Sequence, residues 1–125
     1  MTDQPAQPHV RSTIEVFDHH LFAFAKGVDA LVSDYTEDSW MLLPNSTLRG
    51  LTDIRQFFTD FLQGIQPGFW EAFRITRQVV EGDIAYLVWE APPFVTMATD
   101  TLLVRDGKIL VQTFTPLAHR QHATA

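Results

Sequence analysis

Apolar residues recur every three or four positions at the start of the chain. Ile14, Phe17, Leu21, Phe24 and Ala25 make one stripe along a helix. Ser12-Thr13-Ile14-Glu15 just before it has the capping-box pattern, in which hydroxyl and carboxylate satisfy free N–H groups. Gly27 stands where a left-handed cap is expected. Asp29 then suits the N-cap of a second, short helix reaching Tyr35, with Leu31, Val32 and Tyr35 inward. The compact apolar run Trp40 to Leu43 predicts a strand, and Pro44-Asn45-Ser46 predicts a turn that lets Thr47 to Arg49 pair back on it. Thr52 is the expected cap of a third helix ending at Gln63, with Ile54, Phe57, Phe58, Phe61 and Leu62 on its apolar face.

After Gly64 and Pro67-Gly68 the pattern changes from helical spacing to long runs of strand-forming residues. Four strands are predicted, Phe69 to Val80, Ile84 to Ala91, Val95 to Arg105 and Lys108 to Pro116. Glu81-Gly82-Asp83 and Asp106-Gly107 have hairpin-turn composition, and Pro92-Pro93 interrupts normal pairing between the second and third of these strands. The expected organisation is a loose segment over 1–11, one α+β domain over 12–117 and a loose tail over 118–125. Helices first and a bent sheet afterwards is the layout of a cone with a pocket inside.

Composition narrows the function classes. The chain has 125 residues, enough for one domain with one core, and 46% hydrophobic residues with ten Phe and three Trp fill that core generously. Net charge is −6 with no Lys/Arg cluster, so neither nucleic acid nor an anionic membrane is an expected partner. No Cys is present, which removes disulfides and thiolate chemistry and fits a reducing setting, so the cytoplasm is the expected location. The polar stretch Met1 to Arg11 lacks the apolar centre of a secretory signal.

Asp100 is the first candidate for chemistry. Strand alternation puts it on one face with Ala98, Leu102 and Val104, an otherwise apolar surface. A carboxylate there needs donors or a raised pKa, and a neutral carboxyl group is a hydrogen-bond donor or proton carrier. The plainer reading is a strand-end aspartate bonded to a backbone amide or a neighbouring Thr. His19 and His20 come next. Adjacent helical residues point about 100° apart, so only one shares a face with a given partner. His20 lies on the edge of the inward stripe and could reach a ligand oxygen or Asp100, or simply bond a backbone carbonyl. Glu90 shares a face with Tyr86 and Val88, where solvent is the expected neighbour. His119 and His122, in a polar tail, and the isolated His9 make no convincing metal set, and neither a metal nor a cofactor is expected. No G-x-S-x-G or glycine-rich phosphate loop occurs.

From Ile14 to Pro116 the chain resembles the NTF2-like (cystatin-like) superfamily, which includes ketosteroid isomerases and SnoaL-like cyclases. The resemblance rests on Ala25-Lys26-Gly27-Val28-Asp29-Ala30-Leu31, on Tyr35-Thr36-Glu37-Asp38, on Leu48-Arg49-Gly50 with Ile54 and Phe57-Phe58, and on Val104-Arg105-Asp106-Gly107-Lys108-Ile109. It implies an α+β cone with three N-terminal helices packed on a curved, mainly antiparallel sheet, a deep apolar pocket and a homodimer joined through the outer sheet face. It also implies that Asp100 matches the aspartic acid that donates to the substrate oxygen of ketosteroid isomerases, a carboxyl group kept neutral by an apolar site. Anchored on Gly27, His20 matches their oxyanion-hole tyrosine.

The general base departs from that pattern, because its position falls near Leu43. Losing such a base typically costs about 10²–10⁴-fold, so ordinary steroid isomerisation is disfavoured. Limonene epoxide hydrolases use an Asp-Arg-Asp set, whereas the last strand here offers Gln112, Thr113 and Thr115. The expected function is binding of a small, mostly apolar molecule carrying a carbonyl or hydroxyl group. Asp100 and His20 would take the oxygen, and Trp40, Leu42, Trp89, Gln112 and Phe114 would surround the rest. Metal-free lyase- or isomerase-like acid/base chemistry is one outcome, and a non-catalytic ligand-binding or interaction module is the alternative.

Overall fold

The computed structural model describes residues 9–118, so His119 and His122 lie outside the described residues. The first helix, α1, covers Thr13–Ala23, and its capping box forms as the sequence predicts. Ser12 Oγ accepts from the Glu15 N–H at 3.3 Å, and Glu15 Oε1 accepts from the Ser12 N–H at 2.8 Å. The buried face is rotated from the expected stripe. Val16, Phe17, His20 and Ala23 are its buried members, and Ile14 is 41% exposed. This rotation puts an imidazole at the centre of the helix's inward side.

The second helix, α2, is only Val28–Val32 and is entered from Gly27 at φ 111°, not from an Asp29 cap. Tyr35 is therefore not helical. It opens strand β1, Tyr35–Leu42, and remains buried there. The hairpin partner β2, Thr47–Arg49, pairs antiparallel with Trp40 opposite Arg49, as expected. Helix α3 spans Gly50–Gly64, starting two residues before the expected cap. Asp53 Oδ2, not Thr52, accepts from the backbone there, from the Arg49 N–H at 3.1 Å.

Phe69–Ala72 forms a helical turn, α4, where a strand was expected. Gly68 at φ 88° aims the chain into that turn, and Phe73 N–H closes it on the Phe69 carbonyl at 3.0 Å. The strands that follow are β3 (Arg74–Glu81), β4 (Ile84–Ala91), β5 (Val95–Arg105) and β6 (Lys108–Ala118). Together the described strands form one six-stranded sheet in the order β2-β1-β6-β5-β4-β3. Only β1 and β6 run parallel; the other neighbours are antiparallel. Register breaks fall at Ile75/Arg77, Trp89/Ala91 and Val95/Met97, the kind of irregularity that bends a sheet.

Alternation along β4 and β5 sends Ala85, Leu87, Trp89, Ala98, Leu102 and Val104 to one buried face, where α1 and α3 supply Phe17, Ile54 and Phe58. Arg11, the last residue of the segment expected to be loose, reaches into the domain. Its guanidinium donates to Asp34 Oδ1 at 2.9 Å and to the Gly107 carbonyl at 2.7 Å. Gly107 sits at φ 74°, and a Cβ there would stand 3.2 Å from the Arg11 nitrogen, so glycine serves both the turn and this approach. Among the described residues no helix is long and apolar enough to cross a membrane.

Candidate functional site

A cavity of about 110 Å³ lies between the helices and the inner face of the sheet. Helix α1 contributes His20, Leu21 and Phe24, and α3 contributes Phe57, Phe58 and Phe61. Phe69, Trp70 and Phe73 come from the α4 turn and the residue after it, so the helical course of this segment is what stacks three aromatic rings along one wall. The sheet completes the wall with Ile75, Trp89, Asp100, Gln112 and Phe114. Trp70 and Ile75 line the cavity while remaining 43% and 38% exposed, which places them at its opening.

Asp100 is the polar centre of the sheet wall. Trp89 Nε1 donates to its Oδ2 at 2.8 Å, and Gln112 Nε2 donates to its Oδ1 at 3.0 Å. The Tyr35 hydroxyl in turn donates to Gln112 Oε1, deep in the core. Four residues from β1, β4, β5 and β6 thus form one hydrogen-bonded chain ending at the cavity. Burial raises the Asp100 pKa above the ordinary carboxyl value, against the opposing pull of the Trp89 and Gln112 donors and of His20. The Tyr35 phenol is also pushed well above its ordinary value, by burial first and by the Asp100 and Asp34 charges after it. It stays a neutral donor at physiological pH.

His20 lies 5% exposed against the rings of Phe24, Tyr35 and Phe58, with centroids 5.3, 5.9 and 5.9 Å away. Its Nδ1 is buried and makes no hydrogen bond. His19 points elsewhere, its Nδ1 2.8 and 2.9 Å from the two oxygens of Asp34. Asp34 is fully enclosed. Burial alone would raise its pKa, but His20, His19 and Arg11 outweigh that and hold it below the ordinary value.

Five of the residues singled out in the sequence, Asp100, His20, Trp89, Gln112 and Phe114, therefore line one cavity. Trp40 and Leu42 do not. They pair with Val111 and Thr113 of β6, on the face away from the cavity, while Met41 between them is fully buried. The Arg49 guanidinium lies 4.8 Å from the Trp40 ring there. Leu43, at the expected base position, packs against the core. Glu90 bonds Arg74 at 3.0 Å, away from the pocket. Sequence reasoning did not find Asp34 or the hydrogen-bonding role of Tyr35. The only local signal was an acid beside a tyrosine after a short helix, a pattern equally suited to a helix end.

No protein-family model matches this sequence, and no curated protein matches it. Solved structures do. An NTF2-like protein of unknown function from Burkholderia xenovorans is 18% identical, with a TM-score of 0.69 over 90% of this chain and 88% of the other. A protein with a ketosteroid isomerase-like fold from Catenulispora acidiphila, solved with trimethylamine, is 16% identical, with a TM-score of 0.62 over 82% and 85%. An inferred isomerase of the SnoaL-like family from Agrobacterium tumefaciens is 14% identical, with a TM-score of 0.61 over 85% and 97%. The chain is therefore built on the NTF2-like fold that its residues resemble.

Proposed function

We propose that this protein binds a small, mostly apolar molecule bearing one carbonyl or hydroxyl group, and that Asp100 and His20 perform lyase- or isomerase-like acid/base chemistry on it. The observation that carries the reading is Asp100 itself, a carboxyl group with a raised pKa set in an aromatic cavity. Protonated, it donates to a ligand oxygen; ionised, it accepts a proton from one. Size limits the ligand. A cavity of about 110 Å³ is below the ~300–1,000 Å³ of ordinary drug-sized pockets and close to the ~150 Å³ that holds a benzene ring. A single ring fits, and a steroid does not without opening the mouth at Trp70 and Ile75. The outer sheet face, with Met97 and Leu117 46% and 57% exposed, supports a homodimer.

2-Cyclohexenone is a suitable probe. With about seven heavy atoms, a millimolar Kd asks for roughly 0.6 kcal/mol per atom, within the ceiling for small ligands. Binding followed by NMR shifts of Trp89 and His20, and exchange of the ketone's α-hydrogens in D₂O, test the two halves of the reading. Loss of both in Asp100→Asn is the expected result. If Asp100→Asn binds and exchanges like the parent, the assignment is wrong. A second reading, capture without turnover, is favoured by Leu43 at the usual base position; binding with no acceleration of exchange selects it.

A further inference from the structure

The buried Nδ1 of His20 has no hydrogen-bond partner, yet it is aimed at a carboxylate. Asp34 Oδ2 stands 3.8 Å away, the nearest charged oxygen recorded for it. A carboxylate accepts hydrogen bonds and donates none, so a ring nitrogen turned toward it carries the proton. Closing the gap by about 1 Å brings the pair to ordinary hydrogen-bond length.

We propose that Asp34 is the positioning residue of the cavity: it holds the neutral His20 ring as the Nδ1–H tautomer and leaves Nε2 as a bare lone pair for the ligand. This deepens the function proposed above, because it supplies the proton acceptor that Leu43 cannot provide. Asp34 is suited to the task by its surroundings. His19 Nδ1 and the Arg11 guanidinium reach it at 2.8 and 2.9 Å, and its backbone carbonyl accepts from Ile109 N–H at 2.7 Å, so the carboxylate is fixed in place. Arg11 is tied in turn to Gly107, which links the turn before β6 to Asp34.

The other groups around His20 do not compete for the same proton. Phe24 and Phe58 from α1 and α3 are apolar, and the Tyr35 phenol is committed to Gln112. Among the described residues Asp100 is the one other titratable group on the cavity wall, and its two oxygens are already held by Trp89 and Gln112. Two carboxyl groups thus take opposite parts. Asp34 stays ionised behind the imidazole, while Asp100 faces the ligand as the group that gains and gives a proton. In the step itself, His20 Nε2 takes a ligand proton, the electron pair moves toward the ligand oxygen, and Asp100 donates to that oxygen. The proton on Nε2 can exchange with solvent at the mouth, and Nε2 then gives a proton back to the ligand carbon while the ligand oxygen returns its proton to Asp100.

The test is the tautomer of His20 in the uniformly ¹⁵N-labelled full chain, read from long-range ¹H–¹⁵N correlations at mildly alkaline pH and assigned with His20→Gln. The expected spectrum shows protonated Nδ1 and unprotonated Nε2, the reverse of the form an unconstrained imidazole favours. A ring protonated on Nε2 overturns the proposal. Asp34→Asn is expected to shift the ring toward the Nε2–H form and to slow 2-cyclohexenone exchange by roughly tenfold or more, with the Kd changed much less. A folded Asp34→Asn that keeps both the Nδ1–H form and the parental exchange rate also overturns it; if that variant does not fold, the parental tautomer decides. An Nδ1–H ring in a protein that neither binds nor exchanges the ketone sinks the proposed function and leaves the positioning role standing. Binding and exchange with an Nε2–H ring do the reverse.

Discussion

Asp100→Asn has a stability signature that tests the burial argument without any ligand. Trp89 Nε1 only donates, so the Asn oxygen has to face it, and the Asn amide then faces Gln112. Gln112 can turn to present its own oxygen, and Tyr35 can switch from donor to acceptor, so the Trp89 bond keeps its sense and the other two bonds of the chain are remade in the reverse sense. Hydrogen bonds to a charged group contribute roughly 1.5–3 kcal/mol and neutral ones roughly 0.5–1.5, so the two bonds together lose about 2 kcal/mol. Against that loss stands removal of a desolvated charge, and the raised pKa says desolvation is the larger influence. A folded-state pKa above the unfolded value means that Asp100 stabilises below the ordinary value of 3.8, and that this stability is lost as pH rises through the folded value. Each unit of such a shift corresponds to about 1.4 kcal/mol.

The stability difference between parent and variant should therefore move in the variant's favour from pH 3.5 to pH 8. At pH 8 Asp100→Asn should melt no lower than the parent, by about 4 °C for each kcal/mol gained. Calorimetry at the two pH values measures this, and the other carboxylates cancel in the difference because they are common to both proteins. A variant that loses ground as pH rises would refute the reasoning, since it would make Asp100 a well-satisfied structural anion.

Other residues give sharper local tests. Tyr35→Phe leaves Gln112 Oε1 without its buried donor and should cost about 1–3 kcal/mol in urea unfolding; a loss within error would mean the oxygen is satisfied otherwise. Trp40→Ala removes a ring stacked under Arg49 on the face away from the cavity, so it should cost about 0.5–1 kcal/mol for that contact plus some packing and leave 2-cyclohexenone affinity unchanged in an NMR titration. Arg11→Met takes a cation from the enclosed Asp34 and should destabilise by about 1–3 kcal/mol at pH 7. Because the Asp34 pKa is lowered, the stability it contributes is present above 3.8 and lost as pH falls through the folded value. The Arg11→Met penalty should accordingly shrink in acid unfolding curves, and a penalty independent of pH would contradict it.

What the sequence made legible was local. The Ser12/Glu15 cap, the glycine turns and the alternation that turned Asp100 inward each depend on residues within a few positions of one another. The misassigned face of Trp40 and Leu42 has the same origin. A four-residue apolar run from Trp40 to Leu43 has no internal alternation, so nothing in it says which parity is inward. Strand β1 in fact begins at Tyr35, and the buried Tyr35, Ser39 and Met41 set that parity. Likewise Phe69-Trp70-Glu71-Ala72-Phe73 has aromatic content that suits a strand and spacing that suits a helix. The left-handed Gly68 and the helical bonds after it decide between them.

The Asp34 cluster was out of reach for a different reason. Its partners come from Arg11 before α1, from His19 and His20 on α1 and from Ile109 on β6, and only the parallel pairing of β1 with β6 brings them together. Each residue alone reads as ordinary: an exposed arginine, a boundary histidine, a helix-end aspartate. Their meaning comes from geometry, since an enclosed carboxylate needs several cationic or N–H partners to stay ionised. A protein that had only to stabilise its core could replace such a cluster with apolar side chains at little loss. Placing it directly behind the one imidazole that, among the described residues, faces the cavity is the feature that a purely structural role does not require.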